Sequence, residues 1–355
     1  MSILEKTIEP DIEGLLAVIN RRAAPKRVHH VELLLDGLIK DQVSDRFDLG
    51  ARITDNEPFA AIKRDIEVHR FLGYDAFWVE VAEDQQAKIA HQVEAADPDM
   101  SWKVAIEHTG PVQTWQDFES YDWPTISDVD FSPLEWLEKN LPENMGCFDM
   151  TGSVLSTTTF VMGYESFCYK LFDEPELVDA IFQKYGEFYV DYTRALCDFA
   201  CIRFMFGADD MGFKSSTLVS ANILREKVLP WHKRIAAVSH EHGRPYVLHS
   251  CGNIEEIMPD LIEDVRIDGK QSFEDVIVPV TEAKRRYGGQ IAILGGIDVD
   301  FLCRADEQAI RRRVGETLNA CMPGGGYCLG TGNSVADYIP LENYLVMLDE
   351  GRRFL

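Results

Sequence analysis

The sequence lacks any long apolar run and any cluster of basic residues. No stretch of about 18 apolar residues could span a membrane, and the first residues, MSILEKTIEPDIEGLL, lack the basic and apolar segments of a signal peptide. The 35 Lys and Arg residues are outnumbered by 60 Asp and Glu residues, and the resulting formal charge of −25 disfavours contact with nucleic acid or an anionic membrane. We therefore expect a cytoplasmic protein that binds neither.

Cysteine is too sparse for a disulfide framework, because the chain has 8 in 355 residues. In a reducing compartment, most such thiols are small buried apolar residues. Cys197 and Cys201, which are four residues apart at the end of a helical pattern, are assigned to packing. Four others have no evident partner in the sequence: Cys147, Cys168, Cys303 and Cys321.

Short, largely apolar runs alternate with longer segments of helical period, a pattern typical of parallel strands covered by helices on both sides. Eight runs are candidate strands: 27–36, 76–82, 146–152, 202–210, 245–251, 267–273, 291–297 and 326–332. Eight such units predict an α/β fold, a (β/α)8 TIM barrel that forms one domain over 1–355. The segment 83–135 is too long for a plain loop, and we interpret it as an insertion over the barrel mouth.

A histidine and two cysteines lie at the predicted ends of two strands. His249 and Cys251 are two residues apart, so their side chains share one face of an extended segment and could bind one ion. Cys328 lies in the last predicted strand, which ends at the same edge of a barrel. One imidazole and two thiolates suit zinc, and a fourth coordination position would stay open for chemistry. The alternative is that His-x-Cys arises by chance and the thiols are buried packing residues.

Acidic and amide side chains follow other predicted strands. Asp209 and Asp210 end the fourth strand and are predicted catalytic residues that could hold a substrate or approach the metal, although both could instead cap the following turn. Asp298 presents the same two alternatives. Asn253 and Asn333 are as consistent with caps as with ligand contacts.

Four segments carry a resemblance to a known family: GADDMGFKSS, LHSCGN, LGGIDVDFL and GGYCLGTGNSV. In these the chain resembles the uroporphyrinogen decarboxylase superfamily, and specifically its corrinoid-linked methyltransferase branch. The branch includes methylcobalamin:coenzyme M methyltransferases and the first methyltransferases of anaerobic O-demethylases. The resemblance implies a TIM barrel and a zinc site of one His-x-Cys pair and a distant Cys, here His249, Cys251 and Cys328. It also implies a corrinoid (cobalamin) carried by a partner protein.

One feature of the decarboxylases is missing. Those that make coproporphyrinogen begin with an arginine-rich motif that holds the carboxylates of the substrate. Arg21, Arg22 and Arg27 stand at a different spacing and precede the first predicted strand. Tetrapyrrole decarboxylation is therefore disfavoured.

The predicted zinc site and the resemblance together imply a zinc-dependent methyltransferase that moves a methyl group between a small molecule and the cobalt of a corrinoid protein. O-demethylation of a methoxylated aromatic is the preferred reaction, on the resemblance. Three alternatives stay open: methylation of a thiol from methylcobalamin, decarboxylation of a tetrapyrrole or smaller carboxylate, and a corrinoid- or porphyrinoid-binding protein with a degenerate site.

Overall fold

The structure, a computed structural model, describes residues 4, 8–22, 25–81, 88–89 and 107–354. Its centre is one curled sheet of seven parallel strands in chain order. The strands are β1 (Ala76–Trp78), β2 (Gly146–Thr151), β3 (Ile202–Ala208), β4 (Tyr246–His249), β5 (Gly269–Gln271), β6 (Ala292–Leu294) and β7 (Tyr327–Cys328). Seven of the eight predicted strands are thus confirmed, each shorter than its apolar run.

Helices cover the outside of the sheet and alternate with the strands. They are α1 (Ile12–Ile19), α2 (Gly37–Phe47), α3 (Ala60–Leu72), α4 (Trp115–Ser120), α5 (Ser132–Asn140), α6 (Val154–Met162), α7 (Tyr164–Asp173), α8 (Pro175–Leu196), α9 (Ala221–Ile223), α10 (Leu229–Glu241), α11 (Met258–Asp260), α12 (Val280–Tyr287), α13 (Val299–Arg304), α14 (Glu307–Cys321) and α15 (Leu341–Arg353). Two π-helical turns, Leu224–Val228 and Leu261–Val265, and two 3-10 turns, Ile126–Asp128 and Glu255–Ile257, complete the described helices.

Apolar side chains fill the inside of the curled sheet. Phe148 of β2 stacks on Phe204 of β3 with ring centroids 4.9 Å apart, and Phe206 packs beside both. Helix α1 closes the end of this core at the N-terminal edge of the strands, where the backbone N–H of Ile12 donates to the carbonyl of Asn144. In barrels built from parallel strands, ligand sites typically lie at the opposite edge, at the carboxyl ends of the strands.

The predicted first strand forms only two isolated bridges, from His30 to Leu329 and from Leu35 to Val335. Between them, the carboxylate of Glu32 accepts hydrogen bonds from the backbone N–H and the hydroxyl of Thr331, at 2.7 and 2.6 Å. The Glu32 side chain thus accepts the hydrogen bond that a backbone carbonyl would accept in a regular parallel ladder. This interrupts the pairing of the predicted first strand with the segment that follows β7. β1 and β7 are the edges of the described sheet, and closure into an eight-stranded barrel stays a prediction.

The predicted insertion, 83–135, falls partly outside the described residues. Its described part packs on the helices that follow β2: the backbone N–H of Val112 donates to the carbonyl of Val161, and the rings of Trp123 and Tyr185 meet edge to face at 5.4 Å. Among the described helices, none has the length and apolar character needed to cross a bilayer.

Candidate metal centre and its cavity

Three potential metal ligands converge at the carboxyl ends of β3 and β4. They are a carboxylate oxygen of Asp210, Nε2 of His249 and Sγ of Cys251, and these atoms all lie within 4.8 Å of one another. Nε2 of His249 is 3.3 Å from Sγ of Cys251 and 3.6 Å from Oδ1 of Asp210. We call Asp210, His249 and Cys251 the ligand group.

The parallel pairing of β3 and β4 explains why these residues meet. Ala208 is in register with His249, so the residues that follow β3 emerge beside the end of β4. The backbone N–H of Cys251 donates to Oδ1 of Asp210 at 2.9 Å, which ties the two loops together. The predicted pairing of His249 with Cys251 is therefore present as geometry, and Asp210 joins it.

Gln271 of β5 determines which nitrogen of His249 faces the group. Its Oε1 shares a short hydrogen bond with Nδ1 of His249, and its Nε2 donates to the carbonyl of Asn333. Because Oε1 can only accept, Nδ1 is protonated, and Nε2 is the nitrogen that faces the group and could bind an ion in place of its proton. On the other side of the group, Nδ2 of Asn333 donates to Sγ of Cys251 at 3.0 Å. Of the two alternatives for Asn333, a helix cap or a contact with the site, these hydrogen bonds favour the contact with the site.

His249 and Asp210 of the ligand group stabilise each other's charged forms. Burial alone would lower the pKa of His249, but Asp210 and the Cys251 sulfur outweigh it and raise that pKa to about 10. For Asp210, partial burial acts to raise the pKa, and the hydrogen bonds from His249 and Cys251 lower it to about 2. The Asp210 side chain is 57% exposed, so solvent reaches one side of the group.

The predicted third ligand, Cys328, lies apart from the ligand group. It is fully buried in the apolar cluster inside the sheet, among residues such as Leu294 and the α1 residues Leu15 and Val18. Burial raises the pKa of the Cys328 thiol well above its ordinary value. β7 ends at Cys328, and Asn333, further along the chain, contacts Cys251. Cys328 therefore lies deeper inside the sheet than the prediction from the sequence placed it. Among the described residues, the third potential ligand beside His249 and Cys251 is thus Asp210.

Asp209, predicted as catalytic together with Asp210, is buried and accepts several hydrogen bonds. Its carboxylate accepts from the backbone N–H groups of Leu155 and Ser156, at 2.9 and 2.8 Å, and from the hydroxyl of Ser156 at 2.8 Å. Nε2 of His232 lies 3.0 Å away on the other side. These contacts are not with the turn that follows β3, which was the predicted alternative, but with the first turn of the earlier helix α6, which Asp209 holds against β3.

Two other candidates also act as caps. Asp298 accepts from the backbone N–H of Phe301 at 3.0 Å and begins α13. Asn253 accepts from the backbone N–H of Glu255 at 3.1 Å. All eight cysteines are free, and Cys197 and Cys201 are buried, as their assignment to packing predicts.

A cavity of about 390 Å³ opens beside the ligand group and is bordered by Asp210 and His249. Its other walls come from the ends of β1 and β2 and from α6 and α8. The sequence interpretation missed Asp149 of β2, a buried acid on this wall. Its signal was a charged residue in the middle of an apolar run, GCFDMTG, because acids are seldom buried without a partner.

The donor set of the ligand group fits a zinc ion. Zinc bonds of about 2.0–2.3 Å in tetrahedral geometry place ligand atoms roughly 3.3–3.6 Å apart. The two separations from Nε2 of His249, 3.3 and 3.6 Å, match that spacing. Three protein ligands and an exposed side are the arrangement of a catalytic rather than a structural zinc site.

Comparison with known families places this geometry in context. A family model described as uroporphyrinogen decarboxylase (URO-D) matches residues 100–354. The chain belongs to the uroporphyrinogen decarboxylase family. It is 25% identical over 246 residues to a methylated-thiol–coenzyme M methyltransferase of Methanosarcina mazei, a match that covers 69% of this chain and 59% of that protein. It is also 35% identical over 82 residues, 22% of each chain, to a uroporphyrinogen decarboxylase of Cupriavidus necator.

Solved structures agree on the fold. A methyltransferase from Methanosarcina mazei superposes with a TM-score of 0.70 at 16% identity over 100% of this chain and 99% of that one. A putative vitamin-B12-independent methionine synthase from Listeria monocytogenes gives a TM-score of 0.50 at 16% identity, covering 93% and 97%. The relatives confirm the predicted resemblance to the URO-D superfamily and support its methyltransferase branch.

Proposed function

We propose that this protein is a zinc-dependent methyltransferase that exchanges a methyl group between a small methyl ether and the cobalt of a corrinoid on a separate protein. The observation that carries the proposal is the ligand group, which lies at the carboxyl ends of the strands and borders a cavity of small-molecule size. Similarity to a methyltransferase over 69% of the chain supports the reaction class. We further propose that residues 29–36 close the sheet into the barrel on which this site is built.

Asp210, His249 and Cys251 would hold the ion, and Gln271 and Asn333 would orient two of them. A bound Zn²⁺ withdraws charge from the atom that carries the methyl group, or lowers the pKa of a thiol. The cavity would position the small molecule against walls that include the buried side chains of Phe188, Tyr189 and Tyr192.

The rim of the mouth supports a protein partner. Leu38, Phe213, Val276 and Tyr338 each follow a segment that ends at this edge, and each is more than half exposed. Exposed apolar residues on one face are typical of interaction surfaces. Methyl transfer requires the reacting atoms to lie within about 3–3.5 Å, so the corrinoid protein must bind over this rim and not at the opposite edge.

The basic residues near the N-terminus do not support tetrapyrrole decarboxylation. Arg27 is paired with Asp75 at the N-terminal edge of β1, and Arg21 donates to the carbonyl of Gly289. Both are therefore engaged away from the cavity at the mouth. A smaller carboxylate would also lack a free cationic partner there, since neither Lys nor Arg is among the described residues that border the cavity and His249 is already paired with Asp210.

Thiol methylation is the second candidate reaction, and the methylated-thiol methyltransferase relative favours it. The test is incubation of the purified chain with cob(I)alamin and a panel of methyl ethers and methyl thioethers, and separately with methylcobalamin and thiols, followed by cobalamin absorbance. We expect methylcobalamin to form from ethers, and the metal content of the protein to be one zinc per chain. Full activity after complete removal of metal by a chelator would refute the proposal.

A further inference from the structure

The cavity beside the ligand group has largely aromatic walls. Its described border contains five aromatic side chains: Trp78, Phe160, Phe188, Tyr189 and Tyr192. Aromatic rings stack on planar rings at centroid distances of about 4.5–7 Å and bind them through both area and geometry. A flat aromatic ligand therefore suits this cavity better than an extended aliphatic one.

Asp149 provides the cavity with a fixed polar group. Its Oδ1 accepts from Nε1 of Trp78 at 2.9 Å and from the backbone N–H of Met150 at 2.7 Å, and its Oδ2 accepts a short hydrogen bond from the hydroxyl of Tyr192. A carboxylate has about four acceptor positions. These three bonds hold Asp149 in place and leave one position for a hydrogen-bond donor of a ligand.

The charges that border the cavity are acidic. Glu80, Asp149 and Asp210 lie on the border, His249 of the ligand group is the one basic side chain there, and neither Lys nor Arg occurs among the described bordering residues. The positive charge of His249, or of an ion bound to it, is already paired with Asp210 and the sulfur of Cys251. A carboxylate or sulfonate on a ligand would therefore lose its water without gaining a free cationic partner, which such groups need when buried. Burial also raises the pKa of Asp149 to about 7, a further sign that a negative charge is poorly solvated at this wall.

We propose that this cavity selects an uncharged methoxyphenol, with the ring between the aromatic walls and the phenolic hydroxyl donating to Asp149, and that it rejects aromatic methyl ethers bearing a carboxylate or sulfonate. The proposal rests on the proposed function for its choice of a methyl ether. The aromatic and acidic walls would also suit a quaternary ammonium, but its nitrogen has no lone pair to offer to an ion held by the ligand group. Asp149 is then a specificity-determining residue, positioned by Trp78 and Tyr192.

Equilibrium binding tests the proposal without any methyl transfer. The purified chain is titrated, by calorimetry or tryptophan fluorescence, with the three isomers of methoxyphenol, with methoxybenzene and with 2-methoxybenzoate. At pH 8, where Asp149 with its pKa of about 7 is mostly ionised, we expect Kd for at least one methoxyphenol to be ten- to a hundredfold lower than for methoxybenzene, the range for a hydrogen bond to a charged acceptor. We also expect it to be at least tenfold lower than for the benzoate.

Asp149→Asn separates a direct contact from a structural effect. In this variant we expect the methoxyphenol to lose its advantage over methoxybenzene, to within threefold, while methoxybenzene itself binds as before. Asp191→Asn, a change of the same kind at an exposed helix position paired with Arg194, should leave all the affinities unchanged. If Asp149→Asn does not fold, the comparison of methoxyphenol with methoxybenzene on the unaltered chain still tests whether the phenolic hydroxyl contributes to binding.

Three results would overturn the proposal: binding of 2-methoxybenzoate or of phenyltrimethylammonium as tight as that of the best methoxyphenol, equal binding of methoxyphenol and methoxybenzene, or no binding of any of them. The first leaves methyl transfer itself intact and fails only the selectivity. Selective binding of methoxyphenol without transfer to cob(I)alamin would instead uphold the cavity assignment and count against the proposed function.

Discussion

Nδ1 of His249 is hydrogen-bonded to Oε1 of Gln271 on the neighbouring strand, and this contact turns Nε2 of His249 toward Sγ of Cys251, 3.3 Å away. An amide at this position acts on the ion only through the orientation of the imidazole ring. Loss of such outer partners typically lowers metal affinity about 10–100-fold.

Gln271→Ala should therefore weaken zinc binding about 10–100-fold while the fold is kept. Competition with a fluorescent zinc chelator measures the affinity. Gln183→Ala, at an exposed position of α8, is the matched control and should bind zinc as the unaltered chain does. Equal affinity of Gln271→Ala and the control would show that the amide does not orient His249.

The revised ligand set is tested by Asp210→Ala and Cys328→Ala. We expect Asp210→Ala to lose zinc more severely than Gln271→Ala does, because a direct ligand is removed. Cys328→Ala should keep the metal and lose stability by about 1 kcal/mol, since it leaves a small void in the apolar cluster. Metal analysis and urea unfolding separate the two effects. Loss of zinc from Cys328→Ala with retention in Asp210→Ala would restore the set predicted from the sequence.

Asp209→Asn should reduce stability without removing the metal. The amide NH2 group cannot accept the hydrogen bond now made to one of the carboxylate oxygens, so a buried donor on Ser156, Leu155 or His232 loses its partner. The expected cost is about 1–3 kcal/mol in the free energy of unfolding. Asp198→Asn, an exposed aspartate, is the control. A stable Asp209→Asn protein devoid of zinc would instead place Asp209 in the metal site.

Buried Glu32 should make stability depend on pH. Burial raises its pKa from 4.5 to about 8, so between these values the folded chain holds a proton that the unfolded chain has released. The contribution of Glu32 to stability is therefore greatest below pH 4.5 and is lost as the pH rises toward 8. Glu32→Gln can still accept from the backbone N–H of Thr331 and can donate to its hydroxyl, whose contacts Glu32 now satisfies.

We expect the unfolding free energy of Glu32→Gln, measured in urea from pH 5 to 8, to fall less with pH than that of the unaltered chain. Glu263→Gln, at an exposed position, should not change the slope. Parallel pH profiles for Glu32→Gln and the unaltered chain would mean that Glu32 titrates alike in the folded and unfolded states.

Several features could be predicted from the sequence because they depend on local pattern. Apolar runs located seven strands, and the spacing of His249 and Cys251 put both side chains on one face. The position of a residue between the two ends of a buried strand has no such local signal. The sequence therefore predicts Cys328 at the mouth, whereas it lies in the apolar interior. The bond from Glu32 to Thr331 joins residues 299 apart, and no pattern within the first predicted strand indicates that its pairing is interrupted there.

Zinc-edge X-ray absorption of the purified chain tests the central claim most directly. Binding by Asp210, His249 and Cys251 predicts one sulfur neighbour at about 2.3 Å and nitrogen and oxygen neighbours at about 2.0–2.2 Å, with an imidazole signature. In Cys251→Ser the sulfur neighbour should disappear. Two sulfur neighbours in the unaltered chain, or a sulfur neighbour that survives in Cys251→Ser, would contradict the account.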